Sequence, residues 1–175
     1  MAIYEFVLKF AVGDADADPS QHLTALGDAG CTDALVGVGQ MGLIVLDFSR
    51  EASSAHAAIT SAIEDVKGAI PAAVLVEATP DLVGLTEVAE LLGFSRQYMR
   101  KLAHVTSRTF PSPIHEGKPS MWHLFSVLRW AEADRKLEID ASLLEVAKLT
   151  MSVNVAIGQR EVDCEEVERV RTSIA

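Results

Sequence analysis

Cysteine, aromatic residues and early positive charge are all scarce in this chain. Its 175 residues include two cysteines, Cys31 and Cys164, too far apart for zinc-ligand spacing and too few for a disulfide scaffold. That scarcity points to a reduced, cytoplasmic setting. No apolar run approaches the ~20 residues that cross a bilayer, so no membrane partner is expected. Met1-Ala2-Ile3-Tyr4-Glu5-Phe6 lacks the basic flank and long apolar core of a signal peptide. Apolar residues make up 49% of the chain and charged ones 23%, which excludes low-complexity disorder and leaves room for one or two small domains.

Basic residues are unevenly placed. Residues 1–93 hold three (Lys9, Arg50, Lys67) against 14 acidic ones. Residues 94–129 hold six (Arg96, Arg100, Lys101, Arg108, Lys118, Arg129) against Glu116 alone, and residues 130–175 return to six against ten. The net charge of -10 therefore conceals one basic island in an acidic chain. A basic island means more than a solvated face only if a motif lies inside it.

The first 80 residues read as alternating strands and helices. Tyr4, Phe6, Leu8 and Phe10 share one face of a half-buried strand. Asp18-Pro19 reads as an N-cap with proline at the first helical position, opening a short helix through Leu23 and Leu26. The runs 33–38 and 41–48 form a hairpin around Gly39-Gln40. Ile59, Ile63, Val66 and Ile70 make one stripe of a helix over 53–69, stopped by Pro71, and 72–78 supplies a fourth strand. The order β-α-β-β-α-β predicts an α+β class with a ferredoxin-like N-terminal domain over 1–79. Helices then cover one sheet face only. The other is expected to carry Val7, Leu43, Val45 and Leu75, with Lys9, Asp47 and Glu77 near strand ends, and a second copy is its simplest cover.

Thr79-Pro80-Asp81 reads as a linker, after which strands nearly vanish. A helix over 141–157, apolar around most of its circumference, suits a buried or intersubunit position. Asp163 and Glu166 then open a last helix with the stripe Val167, Val170 and Ile174. Residues 138–175 are therefore expected to form a C-terminal, dimerising helical segment.

Several motifs fail on inspection. Gly37-x-Gly39-x-x-Gly42 matches a dinucleotide fingerprint as text, but a strand follows where a helix is needed. Asp14-x-Asp16-x-Asp18 has Pro19 and Ala25 where a calcium loop needs glycine and glutamate. His115 and His123 lack a third ligand. Glu64 and Asp65 point to different sides of their helix. No catalytic residue, metal or cofactor is expected, and the chain does not read as an enzyme.

One motif survives, within the basic island. Counting Leu85 as one, position five is Ala89, where a longer side chain would push two helices apart. Position nine is Gly93, in a turn that favours positive φ. Val88, Leu92, Phe94, Met99 and Leu102 fill the apolar positions of a helix-turn-helix. Ser95, Arg96, Gln97, Arg100, Lys101 and His104 fall on a polar, cationic stripe that a major groove accepts. Further on, Pro111 and Pro113 deny a helix, and Glu116-Gly117-Lys118-Pro119 is turn chemistry between Ile114 and Met121, with Lys118 at the tip. Trp122 and Trp130 flank Leu124, Val127 and Leu128 at helical spacing and read as core anchors.

Together these pieces resemble the winged helix-turn-helix of excisionases and MerR-type regulators over residues 85–131. The shared features are Thr86 to Ser95, then Phe110-Pro111-Ser112-Pro113, then Trp122, and finally Val127-Leu128-Arg129-Trp130. The resemblance implies a winged helix-turn-helix domain over 84–133 that binds double-stranded DNA. The contact residues are then Ser95, Arg96, Gln97, Tyr98, Arg100, Lys101, His104, Arg108 and Lys118. The expected protein is a dimeric, sequence-specific transcription regulator. Its rivals are an antitoxin-like autoregulator with a protein partner or small ligand on the N-terminal domain, and an architectural DNA-bending factor for recombination.

Overall fold

Alternation in the first strand sets up the larger of two cores. In the computed structural model, which describes residues 1–105 and 109–174, β1 (Ala2–Ala11) buries Tyr4, Phe6, Leu8 and Phe10 on one face. The Asp18 carboxylate accepts from the Ser20 N–H at 2.9 Å and opens a turn of 3-10 helix that runs into α1 (Leu23–Asp28). The strands β2 (Ala34–Gly37) and β3 (Leu43–Ala52) follow. Next comes α2 (Ala55–Ala69), whose cap Ser54 accepts from the Ala57 N–H at 3.1 Å, then β4 (Val74–Thr79). The protein is a mixed α+β fold. Its sheet runs β2-β3-β1-β4 with every neighbouring pair antiparallel. Ala58, Ile59, Ala62 and Val66 of α2 are buried against Phe6, Phe48 and Ile44, and the rings of Phe6 and Phe48 stack at 5.2 Å.

A guanidinium pins this layer. Arg50, 8% exposed, meets both carboxylate oxygens of Asp33 at 2.8 and 3.0 Å, Asp65 at 2.8 Å and the Ser61 hydroxyl at 3.0 Å. It also lies 4.9 Å from the centroid of the Phe48 ring. The turn that leads into β2, the strand β3 and the helix α2 are thereby tied to one side chain.

The open sheet face needs one correction. Leu75 belongs to the core, not to that face. Between Lys9 and Phe10 the β1–β4 register shifts, Lys9 opposing Glu77 and Phe10 opposing Leu75, so Val76 is an extra residue in β4. The bulge reverses the alternation: Leu75 and Ala78 are both buried while Val76 and Glu77 are exposed. The face retains half-buried Val7, Leu43 and Val45.

Residues 79–81 are not a loose linker. Asp81 is 2% exposed, and from it β5 (Leu82–Val83) pairs antiparallel with β6 (Trp122–His123). Between them lie α3 (Leu85–Leu91) and α4 (Arg96–Val105), and after β6 comes α5 (Leu124–Arg135). Val88, Met99, Leu102, Phe110, Trp122, Leu128 and Trp130 form the second core.

The long helix α6 (Ala141–Gly158) joins the two cores. Val146 belongs to the first with Leu149, Val153 and Ile157 packed beside it, and Ala147 belongs to the second with Leu143 and Leu144. Its apolar residues thus meet both cores along one side, while Val155 and Ala156 on the other side are exposed. By length and a mean hydropathy of 1.2, the stretch Ala141–Glu161 also qualifies as a membrane span, against the expectation that no run approaches that length. Here it carries Asn154, whose side chain accepts from the Ala78 N–H at 2.9 Å and donates to the Ala78 carbonyl at 2.7 Å. That amide occupies the free edge of β4 as a neighbouring strand would. The last helix, α7 (Cys164–Ile174), has no buried residue, and its stripe Val167, Val170 and Ile174 faces outward.

Candidate nucleic-acid interface

The turn between α3 and α4 follows from two small residues. Ala89 is 2% exposed and fits where the helices approach. Gly93 takes φ +68°, a conformation L side chains adopt only at a cost. The turn closes through the Gly93 N–H to the Glu90 carbonyl (3.2 Å) and the Phe94 N–H to the Ala89 carbonyl (2.7 Å). At the other end of α3, the Glu87 carboxylate accepts from the Gly84 N–H at 2.7 Å.

The helix α4 divides as its spacing requires. Met99 and Leu102 are buried, while Arg96, Gln97, Arg100 and Lys101 are exposed. None of these four makes a hydrogen bond or ion pair within the described residues. Ser95 is also exposed, but its hydroxyl accepts from the Tyr98 N–H at 3.2 Å, so it serves as the N-cap. Tyr98, 43% exposed, stands edge-on to Phe94 at 5.1 Å and is half fixed by that contact. Of the remaining sequence-expected contacts, the His104 side chain and Arg108 lie outside the described residues.

The segment expected to form a wing is a short hairpin. The Ile114 N–H meets the Met121 carbonyl at 2.9 Å, and the Met121 N–H meets the His115 carbonyl at 3.0 Å. The His115 imidazole lies across the turn, and a Cβ on Gly117 would push that ring aside. Lys118 is exposed beside it. The sequence offers His115 only as a metal ligand paired with His123. The structure separates the two, since His123 is taken up by Asp81 at 2.6 Å. Among the described residues no group of three metal-ligating side chains forms.

Beside this hairpin the aromatic residues pack together. Phe110 stands edge-on to Trp122 (5.9 Å) and Trp130 (4.8 Å). The Trp122 indole donates to the Pro111 carbonyl at 2.9 Å. Both tryptophans are 6% exposed, which makes them anchors rather than platforms for stacking bases. Arg129, the sixth basic residue of the island, is drawn to Glu132 at 3.1 Å.

Arginine pairing sets α4 apart from the other described residues. Arg50, Arg129, Arg169 and Arg171 each have a carboxylate within 3.2 Å. Arg160 donates to the Leu75 carbonyl at 3.1 Å. Arg135 lies over Trp130 and 3.3 Å from Asp134, at ion-pair distance though without hydrogen-bond alignment. Among the described arginines, only Arg96 and Arg100 have no such partner, in a chain of net charge -10. No protein-family model, curated protein or solved structure matches this chain.

Proposed function

We propose that this chain is a sequence-specific DNA-binding protein, acting as a dimeric transcription regulator in the cytoplasm. In this reading residues 84–133 are a winged helix-turn-helix, carried on a ferredoxin-like domain formed by residues 1–79. The helix α4 enters the major groove, where Arg96 or Arg100 can pair with guanine and Gln97 with adenine. Lys101 and Lys118 meet phosphates on either side.

The observation that carries this reading is the unpartnered pair Arg96 and Arg100. A protein with 25 acidic residues has carboxylates to spare, and its other described arginines are held by a carboxylate or a carbonyl. Two bare guanidiniums on one helix face, beside Gln97 and Lys101, suit an anionic polymer that presents acceptors at fixed spacing. The acidic remainder repels DNA generally, so binding should depend heavily on base contacts. Selection of bound fragments from randomised duplex DNA, read by sequencing, tests this. One enriched motif is expected. Recovery of unenriched sequence after repeated rounds overturns the specific reading.

A further inference from the structure

We propose that the open sheet face is a dimer interface, closed by the same face of a second copy about a two-fold axis along the Val7–Val45 diagonal. This goes beyond the DNA reading and does not rest on it. The core that takes up α1, α2 and the Val146 side of α6 lies on the opposite face, with Phe6, Leu8 and Phe10. The helix α7, with no buried residue, does not cover the open face either.

Strand register sets the pattern on this face. One row across the sheet reads Leu35, Asp47, Val7, Thr79. The next reads Gly37, Val45, Lys9, Glu77. At its centre four side chains form a quadrilateral whose diagonals differ in kind: Val7 and Val45 are apolar, Lys9 and Asp47 are opposite charges. A two-fold axis along the apolar diagonal sets Val7 on Val7 and Val45 on Val45. The same rotation brings Lys9 of each copy beside Asp47 of the other, closing an isologous interface.

Two observations favour a second copy over other covers. Asp47 is exposed between Leu35 and Val7 and makes no ion pair or hydrogen bond within the described residues. Lys9 has only a loose neighbour, Glu77 at 3.9 Å, leaving donors free. The other charges here, Glu5, Glu51 and Glu77, are all acidic and lie around the quadrilateral. The face thus carries its own complement, one cation and one unpaired anion on either side of an apolar line. Burial of Val7, Val45, Leu43 and Leu35 supplies the attraction, and the crossed charges set the register.

Light scattering on the full chain at tens of micromolar tests this through charge exchange. Wild type should show twice the 18.8 kDa chain mass. Lys9→Glu alone sets two anions together, Asp47→Lys alone sets two cations together, and each should fall to the monomer mass. Mixed in equal amounts, the two variants should recover the dimer mass, because both crossed pairs are again opposite. Circular dichroism confirms that each variant is folded, and recovery on mixing is a result that misfolding cannot give. A monomeric wild type, single variants that stay dimeric, or a mixture that stays monomeric each overturns the assignment. A dimer lost only when residues 162–175 are removed transfers the interface to the stripe on α7 and likewise overturns it.

Discussion

The His123 Nδ1 stands 2.6 Å from the Asp81 carboxylate, across the two-residue ladder that joins β5 to β6. The other oxygen of Asp81 accepts from the Asn154 amide at 2.8 Å, and its main-chain carbonyl accepts from the Leu124 N–H at 2.6 Å. Thr150 donates to the preceding Pro80 carbonyl at 2.6 Å. One buried residue therefore connects the sheet, α6 and the start of α5. Asp81→Ala leaves His123 without its acceptor and Asn154 with the Ala78 carbonyl alone, and should cost about 2–4 kcal/mol. Urea denaturation checks it, with Glu77→Ala as an exposed control. A loss no larger than the control's contradicts the role given to Asp81.

Arg50 is the corresponding tie within the first layer. Removing it leaves Asp33 and Asp65 facing each other without their shared cation. Arg50→Ala should lower stability by about 3 kcal/mol. Arg50→Lys should recover only part of this, since an ammonium cannot bridge both carboxylates and the Ser61 hydroxyl in the fork geometry. Thermal unfolding followed by circular dichroism distinguishes the three proteins. Equal melting temperatures for Arg50→Lys and wild type would refute the fork.

The turn before α4 gives a sharper test of local geometry. Gly93→Ala places a side chain at φ +68° and should cost about 1–2 kcal/mol. Ala89→Leu instead forces α3 and α4 apart and should cost about 1–3 kcal/mol. The outcomes at the DNA differ. Gly93→Ala, once folded, keeps α4 in place and should retain affinity, whereas Ala89→Leu shifts the helix and should lose it. Anisotropy titration of both variants against a selected duplex reads the difference.

Two helix caps should impose a pH dependence. The Asp140 carboxyl is held below its ordinary range by the Ser142 hydroxyl and by the Leu143 and Ser142 N–H groups. The Asp18 carboxyl is lowered by hydrogen bonds from Ser20. A depressed carboxyl stabilises the fold above the unfolded value and loses that contribution as pH falls through the folded one. At neutral pH Asp140→Ala should melt below wild type, and the gap should close in acid. Asp140→Asn should keep a cap that does not titrate. A gap that stays constant from pH 7 to pH 2.5 contradicts the assignment.

What the sequence showed, and what it hid, follows from the range of each signal. The alternation Tyr4, Phe6, Leu8, Phe10 and the Gly93 turn were legible because each is dictated within a few residues. Leu75 was misplaced because strict alternation has no means of anticipating the extra residue at Val76. Asp81 reads as linker chemistry because Thr-Pro-Asp favours a turn, and its partners His123 and Asn154 lie far along the chain. The apolar circumference of α6 was legible, but its use was not. Val146 and Ala147 enter two different cores, and no periodicity in one helix reveals two partners. On α4, the polar stripe was evident from spacing, whereas the absence of any acidic partner for Arg96 and Arg100 required the fold.

The most direct measurement is the affinity for a selected duplex of wild type and of Arg96→Ala, Gln97→Ala and Arg100→Ala, each across a salt series. Every substitution should cost about 1–3 kcal/mol and relax preference at one base-pair position. Lys118→Ala should instead weaken all sequences alike and change the log K against log salt slope by about one per subunit. If all three α4 variants bind the duplex as tightly as wild type, α4 does not read the groove and the DNA-binding account fails.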